Sequence, residues 1–196
     1  MIEANWNHNY NNDCIPNFSD NMDLPRHRWY EFKEGFGSSL VERAILETRE
    51  TCKKEVLTVV DPFSGSGTTP LTALQNSCNA VGVEVNPFMG FVGQTKCKSN
   101  EESGSLFFKE LEWIMNQSPI EIQSPLEKIS SFSEEEGKDK WLFNQKVLRG
   151  FEALKKYISE VEHKDFFSLA LVSSIMQCSN AKKDGKCLRY KKNWKE

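Results

Sequence analysis

Val56-Leu57-Thr58-Val59-Val60-Asp61-Pro62-Phe63-Ser64-Gly65-Ser66-Gly67-Thr68-Thr69 is the stretch on which the fold turns. A β-branched apolar run ends on an acid and then meets two glycines, the pattern of a strand buried on both faces that hands over through a tight turn to a helix. Pro70 to Ser77 reads as that helix and Ala80 to Val85 as a second short strand, so strand, loop, helix and strand fit within about thirty residues. This is the pattern of one right-handed βαβ unit of a parallel sheet.

Working outward, Ser38 and Ser39 offer capping oxygens, and Leu40, Val41, Ala44 and Ile45 recur at helical spacing, which predicts a helix from Ser38 to about Glu50. Residues 1–25 carry seven asparagines and few aliphatics and are expected to form a loose arm. Pro87 suits a first helical turn, so Phe88 to Lys98 is expected to be helical, as is Leu106 to Met115. Two prolines, several serines and Glu134-Glu135-Glu136 mark about 117–137 as a solvated loop or insertion. Helical periods return from Trp141 to about Glu160 and over Phe166 to Met176. The expected organisation is an arm over 1–25, one domain over 26–181 and a basic tail over 182–196.

Composition bounds the function. The 196 residues hold 25 Lys and Arg against 28 Asp and Glu, a formal charge of −3, with 38% hydrophobic and 27% charged residues, as a chain with a sizeable core should. The tail concentrates seven basic residues against Asp184 and Glu196, a local +5 that leaves −8 for residues 1–181. It reads either as a solvated tail or as a contact for nucleic-acid phosphate. No apolar stretch approaches the roughly 20 residues of a bilayer crossing, and the N-terminus lacks a secretory pattern, so the expected compartment is the cytoplasm with no membrane partner. The six cysteines are scattered, without Cys-x-x-Cys or a histidine at ligand spacing, so no metal site is expected. His8, His27 and His163 read as surface residues.

The chemistry sits in the glycine loop. Gly65 and Gly67 allow positive φ and close backbone approach, and the following helix aims N–H groups and its positive dipole end at a ligand. Asp61 is suited to a cationic group, and Glu84, at the end of the second strand, to both hydroxyls of a ribose. An amino-acid nucleoside fits the two carboxylates. A nicotinamide-dinucleotide site shares the Gly-x-Gly turn and the later acid, but Pro70 stands where its third glycine belongs and an acid before the loop would repel pyrophosphate. No Gly-Lys-Ser/Thr follows for a P-loop. A plain strand-to-helix turn with a capping threonine is the remaining alternative.

Asp61-Pro62-Phe63-Ser64-Gly65-Ser66-Gly67-Thr68-Thr69 resembles the adenosylmethionine-binding motif of the DNA amino-methyltransferases, which methylate adenine N6 or cytosine N4. Gly82-Val83-Glu84-Val85-Asn86-Pro87 is similar to that family's second motif, and the segment from His27 to Ser38 resembles its upstream segment, implying that Phe36 and Ser38 contact the methionine end. Leu188-Arg189-Tyr190-Lys191 is similar to a stretch shortly before the family's catalytic motif. The resemblance implies an α/β Rossmann-like S-adenosylmethionine-dependent methyltransferase fold with an incomplete sheet. Its cofactor would be S-adenosyl-L-methionine, and the partners would be double-stranded DNA and a companion chain with the catalytic and target-recognition regions. The implied cofactor-binding residues are Asp61, Pro62, Phe63, Ser64, Gly65, Ser66, Gly67, Thr68, Thr69, Glu84, Asn86 and Pro87, with Phe36 and Ser38. The family's catalytic (Asp/Asn/Ser)-Pro-Pro-aromatic motif does not occur, since no two of the seven prolines are adjacent, so no catalytic residue is assigned and the 196 residues alone are expected to be inactive. A nonenzymatic adenosylmethionine- or DNA-binding subunit, or a methyltransferase acting on RNA or protein, is the alternative.

Overall fold

A computed structural model describes residues 17–98, 104–129, 131–137, 139–184 and 187–192. The chain is mixed α/β and divides into two compact units, 1–98 and 99–196, where the sequence pattern suggested one domain over 26–181.

In the first unit, β1 (Thr58–Asp61) and β2 (Asn79–Gly82) pair in parallel, from Thr58 opposite Asn79 to Asp61 opposite Gly82, with α2 (Thr68–Gln75) between them in sequence. Both strands are shorter than the apolar runs. Leu57, Val59 and Ala80 pack on a core of Val41, Ile45, Ala73 and Cys78. Val41 and Ile45 lie one turn apart on α1 (Ser38–Cys52), and Ala73 comes from α2. Alternate strand residues point to opposite faces, and the second face is open. Val60 is 62% exposed, Val81 49% and Val83 51%, so the expected burial on both faces does not hold for the described residues.

Two local expectations change. Gly37, not a serine, caps α1, because the Ser38 N–H is taken by the side-chain oxygen of Asn21 at 2.8 Å while the Asn21 amide donates to the Phe36 carbonyl at 3.0 Å. Asn21 belongs to a 3-10 helix, Phe18–Asp23, that buries Phe18 and Asn21, so the end of the Asn-rich arm is folded. Residues 1–16 of that arm lie outside the described residues. The unit ends with α3 (Pro87–Cys97), begun by Pro87 as its sequence suggests.

The second unit contains α4 (Gly104–Met115), α5 (Gln145–Ser159) and α6 (Lys164–Ser174), whose apolar faces meet at Ile114, Ile158 and Phe167. Phe107 of α4 stacks on Phe167 with ring centroids 4.7 Å apart. The connection over 117–137 is more ordered than a solvated loop. Ser124 and Ser133 are buried, Pro125–Lys128 forms a 3-10 turn closed by a capping box with Glu127, and Ser133 bridges to Phe143. The basic tail also folds: β3 (Ala181–Asp184) and β4 (Cys187–Tyr190) form an antiparallel ribbon. Among the described residues no helix is long and apolar enough to cross a membrane, and no three His, Cys, Asp or Glu side chains cluster as a metal site.

Candidate functional site

Backbone bonds to the second strand shape the glycine loop. Beyond the registered pairs, the Val83 N–H donates to the Asp61 carbonyl at 2.9 Å and the Ser64 N–H donates to the Val83 carbonyl at 3.0 Å, so the chain leaves β1 alongside the end of β2. The Asp61 carboxylate accepts the Phe63 N–H at 2.9 Å, which bends the chain immediately after the strand. The Gly67 N–H then donates to the Ser64 carbonyl at 2.8 Å. Gly65 and Gly67 take φ of 50° and 84°, the left-handed region in which a Cβ is penalised. Gly67 has a second constraint, since a Cβ there would lie 2.7 Å from the Gly93 Cα of α3.

Glu84 joins the loop to the following helix. One carboxylate oxygen accepts the Gly65 N–H at 2.8 Å and the other accepts the Asn86 N–H at 2.8 Å. The Asn86 side chain in turn caps α3, accepting from the N–H groups of Phe88 and Met89 at 3.0 and 3.4 Å. An ionised carboxylate offers about four lone-pair sites, so Glu84 can hold both amides and still accept two hydroxyl donors. It faces a groove of about 290 Å³ between α2, β2 and α3, which Ser64, Pro70, Gly82, Met89 and Gly93 also line.

The remaining sequence-derived site residues are placed unevenly. Asp61 is half-buried, Pro62 is exposed and Phe63 is 87% exposed. Ser66, Gly67, Thr68 and Thr69 are buried, and the Ser66 hydroxyl has no hydrogen-bond partner among the described residues. Asn86 and Pro87 are exposed at the start of α3. Phe36 lines a different groove, about 410 Å³ and mainly apolar, together with Val41, Ile45, Val59 and Thr69. Ser38 is buried and held by Asn21.

The upstream segment reaches the loop through other residues. The Phe32 ring lies against Gly65, where an added Cβ would meet it at 3.2 Å, and Tyr30 packs edge-on against Phe88 at 5.5 Å. Lys96 of α3 donates to the Tyr30 carbonyl at 3.2 Å, and burial lowers its pKa from 10.5 to about 8. Burial also raises the pKa of the neighbouring Cys97 thiol. His27 is not on the surface: it is 1% exposed, its Nε2 lies 3.1 Å from the Gln75 amide oxygen, and burial lowers its pKa. His163 pairs through Nδ1 with Glu110 at 2.7 Å, and His8 lies outside the described residues. The aromatic density from Trp29 to Phe36 was the available signal for Phe32 and Tyr30. Nothing in the letters marks Lys96, because lysine is rarely buried.

No family model matches the chain, and no solved structure matches it. Curated relatives do. Type II methyltransferase M.BsoBI of Geobacillus stearothermophilus is 30% identical over 186 residues, which cover 91% of this chain and 34% of that protein. Type II methyltransferase M.MvaI of Kocuria varians is 25% identical over 89% of this chain and 39% of its own length. Type II methyltransferase M.AvaI of Nostoc sp. is 25% identical over 91% of this chain and 36% of its own. The chain thus spans little more than a third of the length of these relatives.

Proposed function

We propose, for a chain that belongs to the DNA methyltransferase family, that the first unit binds S-adenosyl-L-methionine at the Asp61–Thr69 loop. With a catalytic portion outside these 196 residues, it serves methyl transfer to an exocyclic amine of double-stranded DNA, cytosine N4 or adenine N6. The observation that carries the reading is the Glu84 carboxylate, fixed by the Gly65 and Asn86 amides beside a groove and retaining capacity for a vicinal diol. Asp61 at the end of β1 supplies a carboxylate for an ammonium or sulfonium group, and the Ser66 hydroxyl, without a partner among the described residues, is a polar group the loop itself does not satisfy. The parallel β1–β2 pair is compatible with a Rossmann-like methyltransferase sheet whose other strands come from further polypeptide.

When bound, the cofactor supplies an activated methyl group on a sulfonium. The chain's own part is to bind and orient it: Glu84 fixes the ribose, Asp61 offsets positive charge, and the turn at Gly65 and Gly67 lets backbone approach. An exocyclic amine conjugated to its ring is a poor nucleophile and needs acceptors that draw its protons during attack. Asp61 and Glu84 are given to the loop and the cofactor, and no Pro-Pro-aromatic motif occurs in the sequence, so in this reading those acceptors come from other polypeptide, in a companion chain or a continuation of this one.

Isothermal titration with adenosylmethionine tests the reading, using wild type, Glu84→Gln and Glu84→Ala. Each lost charge-assisted bond is worth about 1.5–3 kcal/mol, roughly ten- to a hundredfold in affinity. Equal heats for wild type and both variants would remove Glu84 from the site, and preferential binding of NAD would replace the reading with a dehydrogenase one.

A further inference from the structure

The β3–β4 ribbon sets two cations side by side. Lys182 stands directly opposite Arg189, and like charges at cross-strand positions repel. Both side chains are exposed. They border a groove of about 420 Å³ whose other walls are Tyr190, Lys191 and Lys192, so every lining residue but the tyrosine is cationic. Lys140 adds its ammonium over the Tyr190 ring, 5.8 Å from the centroid.

The base of this ribbon is firmly anchored. Ala181 is 1% exposed, the Asn180 N–H donates to the Leu142 carbonyl at 2.8 Å, and the Asn180 amide donates to the Trp141 carbonyl at 3.2 Å. The Lys191 ammonium donates to the Gln177 and Ser179 carbonyls at 3.0 and 2.6 Å, tying the strand that leaves the ribbon to the one that enters it. A two-stranded ribbon anchored at its base and presenting adjacent cations is suited to a repeated anion of fixed geometry.

We propose that the β3–β4 ribbon grips the phosphate backbone of duplex DNA through Lys182 and Arg189. The choice of DNA rests on the methyltransferase reading above, whereas the cationic geometry does not. The contact is independent of sequence and positions the duplex rather than reading it.

Anisotropy titration of a labelled mixed-sequence duplex with the full chain, over a range of salt, tests this. Each phosphate contact contributes about −0.9 to the slope of log K against log salt, so Lys182→Gln with Arg189→Gln should flatten the slope by about 1.8 and weaken binding roughly tenfold or more near 0.1 M salt. Lys182→Arg with Arg189→Lys should retain the wild-type slope, and so should Lys54→Gln with Lys128→Gln, which removes two exposed charges elsewhere. An unchanged slope in the neutralised variant, an equal loss in the Lys54/Lys128 control, or no duplex binding by wild type would overturn the assignment. Adenosylmethionine titration of the same samples separates the two claims. Retained cofactor binding with an unchanged DNA slope refutes the ribbon alone, while a flattened slope with no cofactor binding in any sample supports the ribbon and refutes the cofactor reading.

Discussion

Replacing Lys96 by methionine tests how the first unit is held together, because the two side chains are similar in length and differ chiefly in charge. Lys96 is 1% exposed, with the Tyr30 carbonyl 3.2 Å from its nitrogen and the centroid of the Phe18 ring at 5.5 Å. Burial lowers its pKa from 10.5 to about 8, so the folded state releases the proton at lower pH than the unfolded chain. Between those values the unfolded chain binds more protons, and this group's contribution makes stability rise with pH. At 1.36 kcal/mol per pKa unit the full penalty below pH 8 is about 3 kcal/mol, of which about 2 kcal/mol is recovered between pH 7 and 9.5. Lys96→Met lacks the titration. Burial raises the pKa values of Cys97 and Tyr30, which makes stability fall as pH climbs, but both groups remain in the variant and largely cancel in the difference. Urea unfolding of both proteins, followed by circular dichroism at pH 7, about 8.3 and 9.5, measures it. The stability of the variant minus that of wild type should shrink by about 2 kcal/mol across the range. A difference constant to within about 0.5 kcal/mol would refute the idea that Lys96 is buried as a weakened base.

Three further outcomes follow from particular contacts. Gly67→Ala must adopt φ near 84° and place a Cβ 2.7 Å from Gly93, so it should lose at least about 1–2 kcal/mol of stability; an unchanged melting temperature would contradict the close approach. Asn21→Ala leaves the Phe36 carbonyl and the Ser38 N–H without their partner and should cost about 2 kcal/mol or more in a urea melt, where a neutral result would return residues 17–23 to a loose arm. Burial works against the charge on Glu110, yet bonds from the Glu162 N–H, the His163 side chain and the His163 N–H hold its pKa below the usual value. Its stabilisation is complete above pH about 4.5 and is lost as pH falls through the folded value, so Glu110→Gln should flatten the acid limb of the stability profile. Parallel acid limbs would count against that network.

The parts of the fold legible in the sequence were those governed by short-range rules. Asp61 before two glycines, the strand-like runs on either side and Pro87 after Asn86 specified a parallel unit and the start of a helix, and both are present. What was not legible depended on partners distant in sequence. Asn21 looked like one asparagine among seven, and its role exists only because Phe36 and Ser38 return to it. The valines of β1 suggested two covered faces, but composition cannot tell which polypeptide does the covering. In the tail, net charge concealed a paired element: residues 181–184 and 187–190 form an antiparallel ribbon that begins at buried Ala181. In the upstream segment the family pattern drew attention to Phe36 and Ser38, whereas the described contacts to the loop and to α3 come from Phe32 and Tyr30.

The glycine loop also explains how a proline can occupy the position where dinucleotide-binding turns carry a third glycine. That glycine exists so that the helix can approach the sheet closely. Here the small residue is on the strand instead. A Cβ on Gly82 would lie 3.0 Å from the Ser64 Cβ and 3.4 Å from Pro70 Cγ, so the missing side chain on β2 makes room for the serine of the loop and the ring of the helix. Pro70 lies in the first turn of α2, where its absent N–H has no intrahelical partner to lose. Space for the turn has thus moved from helix to strand, and Glu84, two residues past Gly82, reaches back to the Gly65 amide. The spacing of Gly82 and Glu84 is therefore one device: the first lets the loop settle on the strand, and the second fastens it there with a carboxylate facing the groove.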